Sequence, residues 1–213
     1  MIDIIPGLLE KEFDPLAEKI RLVSPYVEYV HLDIADNTMV ENSLFSDFEK
    51  LKKFLDGFSR RPKVEAHLMV ANPEKYIRPL VDAGFSRLIA HVECQDPRRF
   101  IEEAEHEEIE IGLSLDGPSG IEELEPFIEE VDMVQIMTIE AGFSGQPFQE
   151  ETLEKIRTLR SHLPDLTVSV DGGMNDRTIP LVADAGAHRA IVNSYLFKEP
   201  DQIAERIEAL RKI

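Results

Sequence analysis

Four side chains in this sequence combine the types and the spacing that hold a metal ion. In Tyr29-Val30-His31-Leu32-Asp33-Ile34 the two-residue period of a strand turns His31 and Asp33 to one face. Glu65-Ala66-His67-Leu68-Met69 and Val168-Ser169-Val170-Asp171 close two further strand-like segments with His67 and Asp171. Two imidazoles and two carboxylates suit one divalent ion: zinc, manganese, iron or cobalt. Taken singly, each histidine reads better as a hydrogen-bonded core residue and each aspartate as a helix cap. Their recurrence at successive strand ends favours the metal centre.

A second constellation consists of Gly142-Phe143-Ser144-Gly145, Asp171-Gly172-Gly173 and Asn193-Ser194. Glycine lets backbone amides approach an anion closely, so Gly142, Ser144, Gly145, Gly172, Gly173, Asn193 and Ser194 are candidates for a phosphate cradle. His91 and Glu93 end the fourth strand on one face and either line the pocket, support a ligand from behind, or serve structure alone. His106 and His162 sit in charged helical stretches and read as solvated, and His188 precedes the eighth strand at the face where stability rather than chemistry is decided.

Positioning such groups requires strand ends at one level. Short β-rich runs alternate with amphipathic, charge-laced segments, as βαβ units around a parallel sheet do. The strand candidates are residues 2–6, 29–34, 64–69, 87–92, 109–115, 133–137, 167–170 and 189–192, and the helix candidates open at Pro15, Ser46, Pro73, Pro97, Ile121, Glu150, Thr178 and Asp201. Eight such units fit an α/β fold of the closed (β/α)8 TIM-barrel type better than a doubly wound open sheet. Barrel chemistry collects on the loops that follow the strands, where both constellations fall. No linker or composition break divides the chain, so a single domain is expected over 1–213.

Composition narrows the partners. With 42 acidic against 23 basic side chains the formal charge is −19, which disfavours nucleic acid and anionic membranes. An anionic ligand must therefore be drawn by backbone amides, helix N-termini or a metal rather than by the overall field. No stretch approaches the roughly 20 apolar residues of a membrane helix, and the first residues lack a basic, signal-like lead. Cys94 is the single cysteine and cannot form an internal disulfide, in keeping with a reducing compartment. A cytoplasmic, soluble protein is expected, binding a phosphorylated small sugar and forming a homo-oligomer.

On these residues the chain resembles the ribulose-phosphate 3-epimerases over nearly its whole length. The likeness rests on His31-Leu32-Asp33-Ile34-Ala35-Asp36, His67-Leu68-Met69-Val70 and His91-Val92-Glu93. It continues in Met137-Thr138 running to Gly142-Phe143-Ser144-Gly145-Gln146, and in Val170-Asp171-Gly172-Gly173. The resemblance implies a ribulose-phosphate-binding barrel with His31, Asp33, His67 and Asp171 as metal ligands. It further implies that Asp33 and Asp171 act as acid and base on opposite faces of a ketose phosphate, with Gly7, Met69 and Met137 lining the pocket. The implied reaction inverts C3, ribulose 5-phosphate to xylulose 5-phosphate, through an enediolate stabilised by a Lewis-acidic metal.

The sequence departs from the family pattern near the site. Gly7 stands for a serine, Ala35 for a methionine, Asn37, Ser144 and Asn193 for glycines, and Asp116-Gly117 and Glu140-Ala141 for Asn-Pro pairs. These changes leave two alternatives. An allulose-6-phosphate 3-epimerase would keep every catalytic residue and differ only in the pocket. A non-catalytic sugar-phosphate binder would explain the altered loops but gives no reason to retain all four ligands. Barrels that decarboxylate or perform aldol chemistry use an Asp-x-Lys-x-x-Asp run, and Asp33-Ile34-Ala35-Asp36 has no lysine there.

Overall fold

A computed structural model describes residues 2–142 and 146–213. The β-rich runs become eight parallel strands: β1 (Asp3–Leu8), β2 (Tyr29–Ala35), β3 (Lys63–Met69), β4 (Arg87–His91), β5 (Glu110–Leu115), β6 (Met133–Met137), β7 (Thr167–Asp171) and β8 (Arg189–Val192). They pair in sequence order, and β8 returns to β1 to close the barrel. The helices between them are α1 (Phe13–Val23), α2 (Phe48–Leu55), α3 (Glu74–Ala83), α4 (Pro97–Ala104), α5 (Thr152–His162), α6 (Ile179–Ala185), α7 (Ser194–Phe197) and α8 (Ile203–Arg211). Among the described residues no helix is long and apolar enough to cross a membrane.

Local chemistry accounts for most of these boundaries. Asp47 and Asp96 accept the amides of Lys50 and Arg99, capping α2 and α4, and Pro97 occupies the first turn of α4, where its missing N–H costs nothing. Gly84 and Gly186 end α3 and α6 in the left-handed region that glycine tolerates. Two expectations change. The helix placed at Ile121 is only the 3₁₀ turn Ile121–Glu123, because Gly117, Pro118, Gly120 and Pro126 interrupt a stretch already crowded with glutamates. The Asn193-Ser194 turn opens the additional short helix α7.

Alternation divides each strand between two environments. Outward side chains such as Leu32, Leu68, Leu88 and Ile136 are fully buried against helix residues including Leu51, Leu80 and Phe100. The lumen is polar by comparison. Glu65, Arg87, Arg189, His31, His67, His91, Ser114, Gln135 and Ser169 are all buried there, and an interior of that kind holds only where its charges are paired.

Candidate active site

Pairing register places the four candidate ligands. Asp33 on β2 stands opposite His67 on β3, and His31 opposite Glu65. Asp171 ends β7, and β1 and β8 lie between it and β2 in the closed sheet. One donor atom from each of His31, Asp33, His67 and Asp171 lies within 4.8 Å of the others. His31 Nε2 is 3.6 Å from Asp33 Oδ1 and 3.9 Å from Asp171 Oδ2, while His67 Nδ1 is 3.0 and 3.7 Å from the same two oxygens. Metal bonds of about 2.1 Å in tetrahedral array set neighbouring ligand atoms about 3.4 Å apart, so these spacings fit one divalent ion. His31 Nε2 supports the fit: it is buried, faces the carboxylates and has no hydrogen-bond partner among the described residues.

Each imidazole is backed by a carboxylate. His31 Nδ1 lies 2.8 Å from Glu65 Oε1. His67 Nε2 lies 2.8 Å from His91 Nε2, and His91 Nδ1 in turn 3.1 Å from Glu93 Oε2. Glu93 sits in the turn just past the end of β4, where its Oε1 accepts the Asp116 amide at 2.8 Å. His91 and Glu93 thus stand behind His67, outside the cluster of His31, Asp33, His67 and Asp171. Glu65 was not singled out among the candidates, although its place two residues before His67 puts it on the same inward face. Of the other histidines, His106 and His162 are exposed, and His188 Nδ1 accepts the Val168 amide at the start of β7.

The two aspartates differ electrostatically. Burial and the negative charge of Asp33 raise Asp171 to about 7. Asp33 is buried as well, but the His31 and His67 imidazoles beside it outweigh that and hold it at about 2. Two carboxylates pushed in opposite directions within one pocket are suited to opposite roles in proton transfer.

These groups open into a cavity at the C-terminal ends of the strands. Gly7, Met69 and Met137 line it, together with Asp33, His67 and Asp171. Its far wall carries Gly142, Gly172, Gly173, Asn193 and Ser194 from the loops after β6, β7 and β8. Ser144 and Gly145, with Phe143, lie outside the described residues. Beyond the same corner a groove continues past Lys19, Arg177 and Lys198, with Glu10, which pairs with Lys19 at 2.5 Å, and Asp176 also in its lining.

Several departures from the family pattern now have a physical reason. A Cβ on Gly7 would stand 2.8 Å from Ile191 Cγ2 and 3.5 Å from Asn193 Cβ, so the space a side chain on β1 would take is filled from β8. Asn37 has φ 66°, a left-handed conformation that asparagine adopts more readily than other non-glycine residues. Asp116 Oδ1 accepts the amides of Gly117 and Ala141, both at 2.9 Å, and ties two loops together. Glu140 lines a groove with Met39, Glu41, Asp116 and Gln146, beside the loop that follows β6.

Among the described glycines of these loops Gly172 is the most constrained. Its φ is 116°, and an added Cβ would meet Ile139 Cγ1 at 2.5 Å. Gly172→Ala is expected to lower unfolding stability by about 1–3 kcal/mol, the cost of a strained backbone conformation. Urea unfolding checks this, and an unchanged midpoint would contradict it.

Comparison with known proteins agrees with this geometry. The model of the Ribulose-phosphate 3 epimerase family matches residues 3–197. The cytoplasmic isoform of ribulose-phosphate 3-epimerase from Oryza sativa subsp. japonica is 35% identical over 219 residues, covering 98% of this chain and 92% of that protein. The ribulose-phosphate 3-epimerase of Bacillus subtilis is 28% identical and covers 95% of each. A tryptophan synthase α-subunit mutant from Pyrococcus furiosus superposes with a TM-score of 0.74 at 16% identity, covering 99% of this chain and 98% of that one, a likeness of fold alone. With the profile match extending from β1 through α7 and the relatives aligned nearly end to end, the chain belongs to the ribulose-phosphate 3-epimerase family, whose members are isomerases.

Proposed function

We propose that this protein inverts C3 of ribulose 5-phosphate to give xylulose 5-phosphate, with Asp33 and Asp171 as the proton-transferring pair. The observation that carries the reading is the convergence of two imidazoles and two carboxylates within 4.8 Å, facing the cavity that the glycine loops complete. The substrate's phosphate lies in the corner of Gly172, Gly173, Asn193 and Ser194, with Gly142, Ser144 and Gly145 as further candidates to hold it. Gripping the phosphate fixes the sugar with its C3 between the aspartates. One aspartate removes the C3 proton and the other returns a proton to the opposite face, so that the centre inverts. Met69 and Met137 line the cavity with apolar surface, limiting water near the reacting carbon.

His31, Asp33, His67 and Asp171 would hold one divalent ion, zinc, manganese, iron or cobalt. When bound, such an ion supplies Lewis-acid stabilisation of the negative charge that proton removal leaves on the sugar oxygens. His91 and Glu93 hold the His67 ring in place from behind.

The test is turnover of metal-loaded protein on ribulose 5-phosphate and allulose 6-phosphate side by side. Preferential conversion of ribulose 5-phosphate is expected. Preference for the hexulose phosphate would reassign the substrate, and binding of both without turnover would leave a sugar-phosphate binder.

A further inference from the structure

We propose that Glu65, clamped by Arg87 and Arg189, is a positioning residue that presents His31 to the divalent ion, so that charged side chains on the barrel floor set the affinity of the site above them. This inference rests on the metal-centre reading of the previous section.

Glu65 is fully buried, and both of its oxygens are engaged. Oε1 faces His31 Nδ1 at 2.8 Å, and Oε2 accepts from Arg87 Nη1 at 2.5 Å and Arg189 Nη2 at 2.7 Å. The two guanidinium groups come from β4 and β8 and share the Tyr29 ring, 4.8 and 5.3 Å from its centroid. Arg87 is further held by Glu110. A carboxylate anchored by two such cations in a dry interior has little freedom to turn.

Two consequences follow for His31. Glu65 can only accept from its ring, so Nδ1 carries a hydrogen and Nε2 is the nitrogen turned toward Asp33 and Asp171 for a metal to bind. The opposite tautomer would aim an N–H at the ligand position. The anion also strengthens the imidazole as a donor, as carboxylates behind metal-bound histidines do.

The arm behind His67 is built differently. Its ring meets the imidazole of His91, and the carboxylate at the end of that relay, Glu93, has a side chain 19% exposed, against 0% for Glu65. Loss of Glu65 should therefore matter more than loss of Glu93.

Zinc-loaded, ¹⁵N-labelled protein provides the test. The wild type should show a His31 Nδ1–H resonance, shifted downfield and slow to exchange. Glu65→Gln should displace or erase it and weaken zinc binding about 10–100-fold in chelator competition, with a smaller loss in Glu93→Gln. Glu65→Gln leaves two buried arginines short of an anion, so Glu65→Gln/Arg189→Met is measured beside it, with circular dichroism to confirm folding. That double variant should fold and still bind zinc weakly. Zinc affinity within about threefold of wild type in the folded double variant, or no Nδ1–H resonance in wild type, would overturn the proposal. Failure of the wild type to bind zinc or cobalt at all would instead sink the metal centre itself, and this inference with it.

Discussion

Asp171→Asn is expected to lower kcat/KM for epimerisation by about 10²–10⁴-fold, and Asp33→Asn by a similar factor, because inversion needs a proton acceptor on one face of the sugar and a donor on the other. An amide keeps the size of the carboxylate but neither takes nor gives a proton at this pH range. The partial reactions should separate the roles. A variant that retains the base for a given epimer still removes the C3 proton and exchanges it with solvent, so deuterium enters without inversion. Both aspartates are also proposed ligands, so metal content is measured in each variant before the loss is assigned to proton transfer. Wild-type turnover in either metal-loaded variant would rule out the two-aspartate scheme.

Metal content itself should respond most to the histidines. Purified protein is expected to carry about one divalent ion per chain. His31→Ala and His67→Ala should each weaken binding by more than the 10–100-fold typical of residues behind a ligand, because each removes a donor outright. Elemental analysis after gel filtration reads this directly. Stripping wild-type protein with a chelator should abolish turnover, and adding back zinc, manganese, iron or cobalt should restore it. A doubly substituted His31→Ala/His67→Ala chain that keeps full metal occupancy would remove both residues from the ligand set.

The parts of this site legible in the sequence are those fixed by local periodicity. Strand alternation placed His31 with Asp33, and the βαβ rhythm placed His67 and Asp171 at the same end of the barrel. Glu65, Arg87 and Arg189 were harder to see, because charged residues normally mark solvated surface and their mutual compensation depends on β3, β4 and β8 facing one lumen. The groove cations are a similar case: Lys19 comes from α1, Arg177 from the approach to α6 and Lys198 from the end of α7. Only closure of the barrel brings them together. Regular alternation breaks at the fifth unit for a local reason, since the prolines and glycines of 117–126 permit only the 3₁₀ turn Ile121–Glu123 there.

The central claim is inversion at C3 of a ketose phosphate by proton removal and return. Proton NMR of ribulose 5-phosphate incubated in D₂O with metal-loaded protein tests it in one experiment. The C3–H signal of ribulose 5-phosphate should decay while xylulose 5-phosphate accumulates with deuterium at C3. A C3–H signal that persists with no xylulose 5-phosphate formed, in protein shown to carry its metal, would contradict it.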